Sequence, residues 1–321
     1  MSARALLKRL AQSLVVVAIV TTISFFAIRL TAGDPFGYGS PLITEAVRAH
    51  WRHQFGYDRP LLEQYFRYVA SVAQGQLGYS FTLHQSVADV LKAALPRTLL
   101  LTGTALVLSF VIGVIVGVAQ AARRGSWFDR ISSGTLLFFY SLPDFWGALM
   151  ILLLFAYWIP IFPAGNIVDP VMHDYLPPMQ ALWDRLRHMV LPVASLTILT
   201  TASIARYQRT AMLEVLPSDY IRTARAKGIS ERQILWRHAL RNALTPMVTL
   251  AGLLLPALLG GAVFIEKVFA WPGMGLAATN AIAGRDYDLV TATVIVGSVL
   301  VVIGNLFADV LHAALDPRVR G

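Results

Sequence analysis

The sequence predicts an all-α polytopic membrane protein with six transmembrane helices, and three features carry that prediction. Hydrophobic residues make up 56% of the 321 residues and charged ones only 14%. The apolar residues gather in six stretches of about 20, the length at which a helix rising about 1.5 Å per residue crosses a hydrocarbon core. Most of the 27 Lys and Arg residues fall in alternate loops, which sets an orientation by the positive-inside rule.

The first stretch runs near Leu10–Ile28, after Arg4, Lys8 and Arg9. A basic start before an apolar run resembles a signal peptide. About 19 uncharged residues exceed an ordinary signal core, so an uncleaved first span is expected. The others lie near Thr98–Ala119, Ser133–Ile159, His188–Ile204, Ala243–Ile265 and Leu289–Ala308. The fourth carries several Ser and Thr and Pro192; hydroxyls that bond back to the helix or to neighbours are compatible with a span. Arg123, Arg124, Arg130, Arg206, Arg209 and the residues 222–241 then lie on the cytosolic side with both termini. The net charge of +9 is that bias and requires no nucleic acid. With no cysteine, the chain has no disulfide, thiol nucleophile or Cys-bound metal.

Residues 1–30 therefore form the first span, 31–97 an extracytoplasmic subdomain, and 98–321 the core, with a cytosolic loop at 206–242. The subdomain is rich in aromatics, among them Trp51, Phe55, Tyr57, Tyr65, Tyr79 and Phe81, and Pro60, Gly75 and Gly78 divide it into short helices. Its His50 and His53, spaced i,i+3, are either a metal pair on one helix face or plain surface residues. The second outward loop, Pro160–Arg187, holds too many prolines to be one regular helix. The third, Glu266–Asp288, contains the turn Trp271-Pro272-Gly273-Met274-Gly275.

The polar insert between Pro217 and Pro246 reads as two short helices. Ser218 or Asp219 is placed to cap the first, and Lys227 and Gly228 to end it. Ser230 starts the second with Gln233 in capping-box position. A helix of about nine residues does not form alone, so packing must hold it. Ala224 and Ala226 leave room for a partner, and Arg222, Arg225 and Lys227 offer charge-assisted contacts.

The ordered set of motifs resembles the first permease of the dipeptide/oligopeptide/nickel family of bacterial ABC importers, over nearly the whole chain. It comprises Gly33-Asp34-Pro35, Leu61-Leu62-Glu63-Gln64-Tyr65, Gly75-Gln76-Leu77-Gly78-Tyr79-Ser80, Ser141-Leu142-Pro143, Pro163-Ala164-Gly165, Tyr220–Gly228, His238–Pro246, Glu266, Trp271–Gly275, Arg285-Asp286-Tyr287 and Asp316-Pro317-Arg318. The resemblance implies the type I ABC importer permease fold in a bacterial inner membrane. It implies a second homologous permease, two ATPase subunits and an extracytoplasmic substrate-binding protein as partners. ATP and magnesium belong to those ATPases, since this chain has no phosphate-binding Gly-x-x-x-x-Gly-Lys-Ser/Thr loop. The insert stands where the family has its coupling loop. Arg222-Thr223-Ala224 replace the general Glu-Ala-Ala, Gly228 matches the glycine, and His238-Ala239-Leu240-Arg241 stand for the later Ile-x-Leu-Pro. Asp219, Tyr220, Ile221, Arg222, Thr223, Ala224, Arg225, Ala226, Lys227 and Gly228 are accordingly expected to meet the ATPase.

An aspartate inside the third span, Asp144, is either a pathway residue facing water or a neutral or helix-paired group beside the Pro143 kink. Ser141 and Pro143 accompany it. Glu266, Arg285 and Asp286 near the outer ends of the last spans are either a gate or binding-protein contact, or interfacial ion pairs. The implied cargo is a di- or oligopeptide, with nickel or another small solute as the alternative. An intramembrane enzyme would need a catalytic pair within the bilayer, and Asp144 and Asp309 belong to no such motif. A self-sufficient secondary transporter would show repeated halves and several intramembrane charges, and neither is present.

Overall fold

The computed structural model describes residues 3–31 and 44–315; the motifs Gly33-Asp34-Pro35 and Asp316-Pro317-Arg318 lie outside them. Nearly every described element is helical: α1 (Ala3–Arg29), α2 (Glu45–Gln54), α3 (Leu61–Ala73), a hairpin of β1 (Tyr79–Ser80) and β2 (Gln85–Ser86), and α4 (Val87–Ala122). There follow α5 (Trp127–Ser141), α6 (Asp144–Leu152) continued by a π turn at Leu153–Trp158, and α7 (Pro178–Val215). The insert forms α8 (Asp219–Ala226), α9 (Glu231–Gln233), a π turn at Ile234–Ala239 and α10 (Leu240–Ala243). The chain ends in α11 (Thr245–Val268), α12 (Met274–Ala283) and α13 (Tyr287–Leu315).

Four helical stretches among the described residues are long and apolar enough to cross a bilayer: Leu7–Arg29, Val87–Ala122, Pro178–Val215 and Tyr287–Phe307. α11 covers the fifth expected stretch. The third expected span is corrected. It is not one helix but two, α5 and the α6 segment, bent by 105°. The cause is local: a residue before proline is pushed out of the helical region, and Leu142 is extended (φ −78°, ψ 138°) ahead of Pro143. The fourth is longer than expected. Pro178 starts α7 in the first turn, where a missing N–H costs nothing, and Pro192 sits within the helix without ending it. Ser195 Oγ donates back to the Leu191 carbonyl at 2.9 Å. At about 1.5 Å per residue, α7 outreaches a hydrocarbon core of about 30 Å.

The chain divides into two compact units. One contains residues 99–271 and 303–315. One core of it gathers Leu101, Ala148, Leu191, Leu196, Ile265, Phe269 and a fully buried Trp271. A second core joins Val118, Met212, Ile221, Ala224, Ile234 and Ala239. α4 meets α7 across Gly113 and Gly117, a spacing that lets helix backbones touch. A Cβ at Gly113 would lie 2.6 Å from Ile204 Cγ2, and one at Gly117 would lie 2.7 Å from the Ala205 carbonyl oxygen.

The other unit contains Ala3–Thr98 and Pro272–Val302. Its core packs Val87, Leu91 and Ala94 against Met274, Ala281, Leu289 and Ala292. The Arg29 guanidinium lies 3.9 Å from the Tyr57 ring centroid and 3.8 Å from Asp288 Oδ1. Tyr57 donates to the same oxygen at 3.4 Å. Desolvation and the Asp288 carboxylate push the Tyr57 hydroxyl well above the usual tyrosine range, so it remains a donor.

Candidate coupling surface and pathway residues

α8 owes its bounds to its flanks. Ser218 is extended at the N-cap, but its hydroxyl donates to the Val215 carbonyl at 2.7 Å instead of capping α8. At the other end Gly228 takes φ +76°, which a side chain rarely adopts. Its N–H bonds the Arg225 carbonyl at 2.9 Å, and the Ile229 N–H bonds the Ala224 carbonyl at 3.3 Å, completing a Schellman stop. Ser230 caps the next helix by accepting from the Gln233 N–H. Arg225 grips Glu231 across the turn, Nε to Oε1 at 2.7 Å, and Asn242 Nδ2 donates to the Tyr220 hydroxyl at 2.6 Å.

Two faces result. Ile221 is fully buried and Ala224 nearly so, both in the chain's own core with Met212, Ile234 and Ala239. Ala224 packs against its own chain. Arg225 is committed to Glu231. Asp219, Tyr220, Arg222, Thr223, Ala226, Lys227 and Gly228 remain exposed, with Asp219 and Arg222 paired to each other.

Ser141, Pro143 and Asp144 lie together at the α5–α6 bend. Ser141 Oγ donates to the Leu137 carbonyl at 2.9 Å, Pro143 is the N-cap of α6, and Asp144 is exposed in its first turn. Asp144 is thus not inside a continuous span.

A cavity of about 680 Å³ was not anticipated from the sequence. α4, α5 and α7 line it with Gln120, Tyr140, Ser203, Arg206, Tyr207 and Arg209 among others. Asp129 holds Arg209 with two bonds of 2.9 Å. The signal lay in polar residues spaced along otherwise apolar helices, with Arg206 read only as a cytosolic charge.

Of the three outer residues, Glu266 is buried in the last turn of α11, in the unit built on residues 99–271. Arg285 is exposed at φ +54° and Asp286 is 1% exposed, both in the other unit. Asp286 accepts from Ser80 Oγ at 2.6 Å, Thr82 Oγ1 at 2.7 Å, the Thr82 N–H at 3.2 Å and the Leu289 N–H at 3.2 Å. It therefore staples the hairpin to the start of α13. Asp286→Ala is expected to cost about 2–3 kcal/mol, because a carboxylate with several donors is replaced by buried unmet donors. Limited proteolysis should then cut within residues 79–86, which stay resistant in Asp286→Asn if the staple is only partly lost. His50 and His53 are exposed on α2, and among the described residues no group of three His, Asp or Glu comes together to hold a metal.

A multi-helix chain with a short basic helix docked on its own core has the build of a transport-system membrane subunit. Residues 109–321 match the family described as binding-protein-dependent transport system inner membrane component, and residues 2–102 match the corresponding N-terminal family. The chain belongs to this family and is a multi-pass inner-membrane protein. It is 34% identical over 317 residues to the oligopeptide transport system permease protein AppB of Bacillus subtilis, covering 98% of each chain. It is 37% identical over 316 residues to the di/tripeptide transport system permease protein DppB of Pseudomonas aeruginosa, covering 94% of each. The fold is similar to that of a chain in the inward-facing MetNI methionine ABC transporter, with a TM-score of 0.58, 21% identity, and coverage of 71% of this chain and 96% of that one.

Proposed function

We propose that this chain is the permease subunit of an ATP-driven ABC importer that moves di- or oligopeptides inward by alternating access. Full-length likeness to peptide permeases supports the cargo. The observation that carries the mechanism is α8, pinned by Ile221 and Ala224 with its outer face free. A helix fixed to its own bundle passes on any push it receives. Two ATPase subunits, which hold the ATP and magnesium, bear on Tyr220, Arg222, Thr223, Ala226 and Lys227. Nucleotide binding favours one arrangement of this chain and a second homologous permease, and hydrolysis releases it, so nucleotide biases a two-state equilibrium. An extracytoplasmic binding protein delivers the peptide on the opposite side. Both termini and the insert face the cytosol, and six spans cross the membrane, α5 and α6 together forming the third.

Ala226→Trp tests this reading, since the residue is exposed and the new ring projects from the outer face. Permease level and melting temperature should match wild type, while substrate-stimulated ATPase activity and uptake fall about tenfold or more, equivalent to at least about 1.4 kcal/mol of lost coupling. Full stimulation in the variant would sink the docking assignment.

A further inference from the structure

We propose that the cavity between α4, α5 and α7 is a substrate site within the permease itself, holding the C-terminal carboxylate of a peptide before its release, with Arg206 as the anchor. The proposal rests on the peptide-importer reading and adds a location and a chemical group to it.

Three observations converge. The cavity, about 680 Å³, falls in the size range of small-molecule sites, roughly 300–1,000 Å³. Its two guanidinium groups differ in state. Arg209 is neutralised by the two-bond clasp of Asp129, whereas among the described residues Arg206 has no carboxylate partner. Arg206 is exposed on α7, so its guanidinium is open to an anion that enters the cavity. The guanidinium fork matches a carboxylate with two parallel bonds, a geometry that an ammonium does not provide.

The remaining lining selects among anions. Tyr140 and Tyr207 bring hydroxyls, Ser203 and Gln120 keep oxygens as acceptors while Ser203 Oγ donates to the Thr200 carbonyl at 2.9 Å and Gln120 Nε2 to Ser132 Oγ at 3.0 Å, and Leu137 and Ala202 supply apolar wall. A peptide carries amides along its length that such groups satisfy, and side chains that apolar wall accepts. The acyl chain of an anionic lipid would leave those hydroxyls unmatched. A site that grips the terminal carboxylate and only brushes the side chains would accept many sequences. It would also hold them weakly enough to let go.

The test uses the assembled complex, both permeases with their ATPases, in nanodiscs without binding protein or nucleotide, titrated calorimetrically with Ala-Ala-Ala and with its C-terminal amide. The free acid should bind saturably, and Arg206→Gln should weaken it by about 10- to 100-fold, the loss expected for charge-assisted bonds. The amide should bind wild type about as weakly as the acid binds the variant. Arg206→Lys keeps the charge without the fork and should fall between. It supplies the comparison if Arg206→Gln fails to assemble, and a lysine variant equal to wild type overturns the proposal. Equal binding of acid and amide overturns it too. So does an Arg206→Gln complex that loses only a co-purifying anionic lipid. Uptake of Ala-Ala-Ala with the binding protein present is the separate check: absent in wild type, it removes the importer reading; present, with acid and amide bound alike, it removes this site alone.

Discussion

Ile221→Asp is expected to abolish transport while leaving the bundle folded. Ile221 is fully buried in the core that also contains Met212, Ile234 and Ala239. Truncation of such a side chain to alanine already costs about 2–5 kcal/mol. A carboxyl group in its place adds the cost of burying a polar group without a partner. α8 has eight residues, too few to form a helix unaided, so losing its anchor detaches it. The check is amide hydrogen exchange across residues 219–229 with uptake measured in parallel. Exchange there should become fast in Ile221→Asp and uptake should vanish, with Ile221→Ala intermediate. Protected amides together with normal uptake would show that α8 is held by something other than this contact.

How far α8 was legible shows where sequence reasoning succeeds. Its end was readable because Gly228 is the residue that a left-handed stop demands, and the start of the next helix because Ser230 and Gln233 have capping spacing. These are local signals. Its orientation was not, since from the sequence Ala224 reads as a gap for a partner. Only the long-range packing of Met212 and Ile234 decides. The same limit explains the third span. Hydropathy sees Ser133–Ile159 as one apolar run, while the 105° bend depends on Leu142 leaving the helical region before Pro143. Proline alone was a poor guide, because Pro192 stays inside α7. Asp286 was singled out as charged and placed near a span end. Its partners Ser80 and Thr82 lie about two hundred positions away in a two-residue-strand hairpin that no periodicity announces. The cavity was invisible for a related reason: it is made by three helices, and no segment of any one carries its signature.

Asp129→Ala should strongly destabilise the unit that holds this cavity. The Asp129 side chain is 6% exposed and that of Arg209 29%, so the pair is largely out of water. Asp129 accepts from Arg209 twice at 2.9 Å and from the Gly125 N–H at 2.9 Å, while its own N–H bonds Ser126 Oγ at 3.2 Å. One residue in the first turn of α5, which Ser126 caps, thus ties that turn to α7. Removing the carboxylate leaves Arg209 as an uncompensated charge beside the cavity, and breaking such a pair from one side costs about 3–5 kcal/mol. Intrinsic tryptophan fluorescence in detergent is a suitable monitor, because the chain has no cysteine for thiol dyes. The diagnostic comparison is with Asp129→Leu combined with Arg209→Leu. If the cost is the stranded guanidinium, the double variant melts well above Asp129→Ala, since an apolar replacement of both partners leaves no charge behind. If it melts no higher, the stability lies in the carboxylate's bond from the Gly125 N–H and not in the pair. The anion-binding asymmetry between Arg206 and Arg209 then needs a different origin, because it depends on Asp129 spending its charge on one arginine and leaving the other to the cavity.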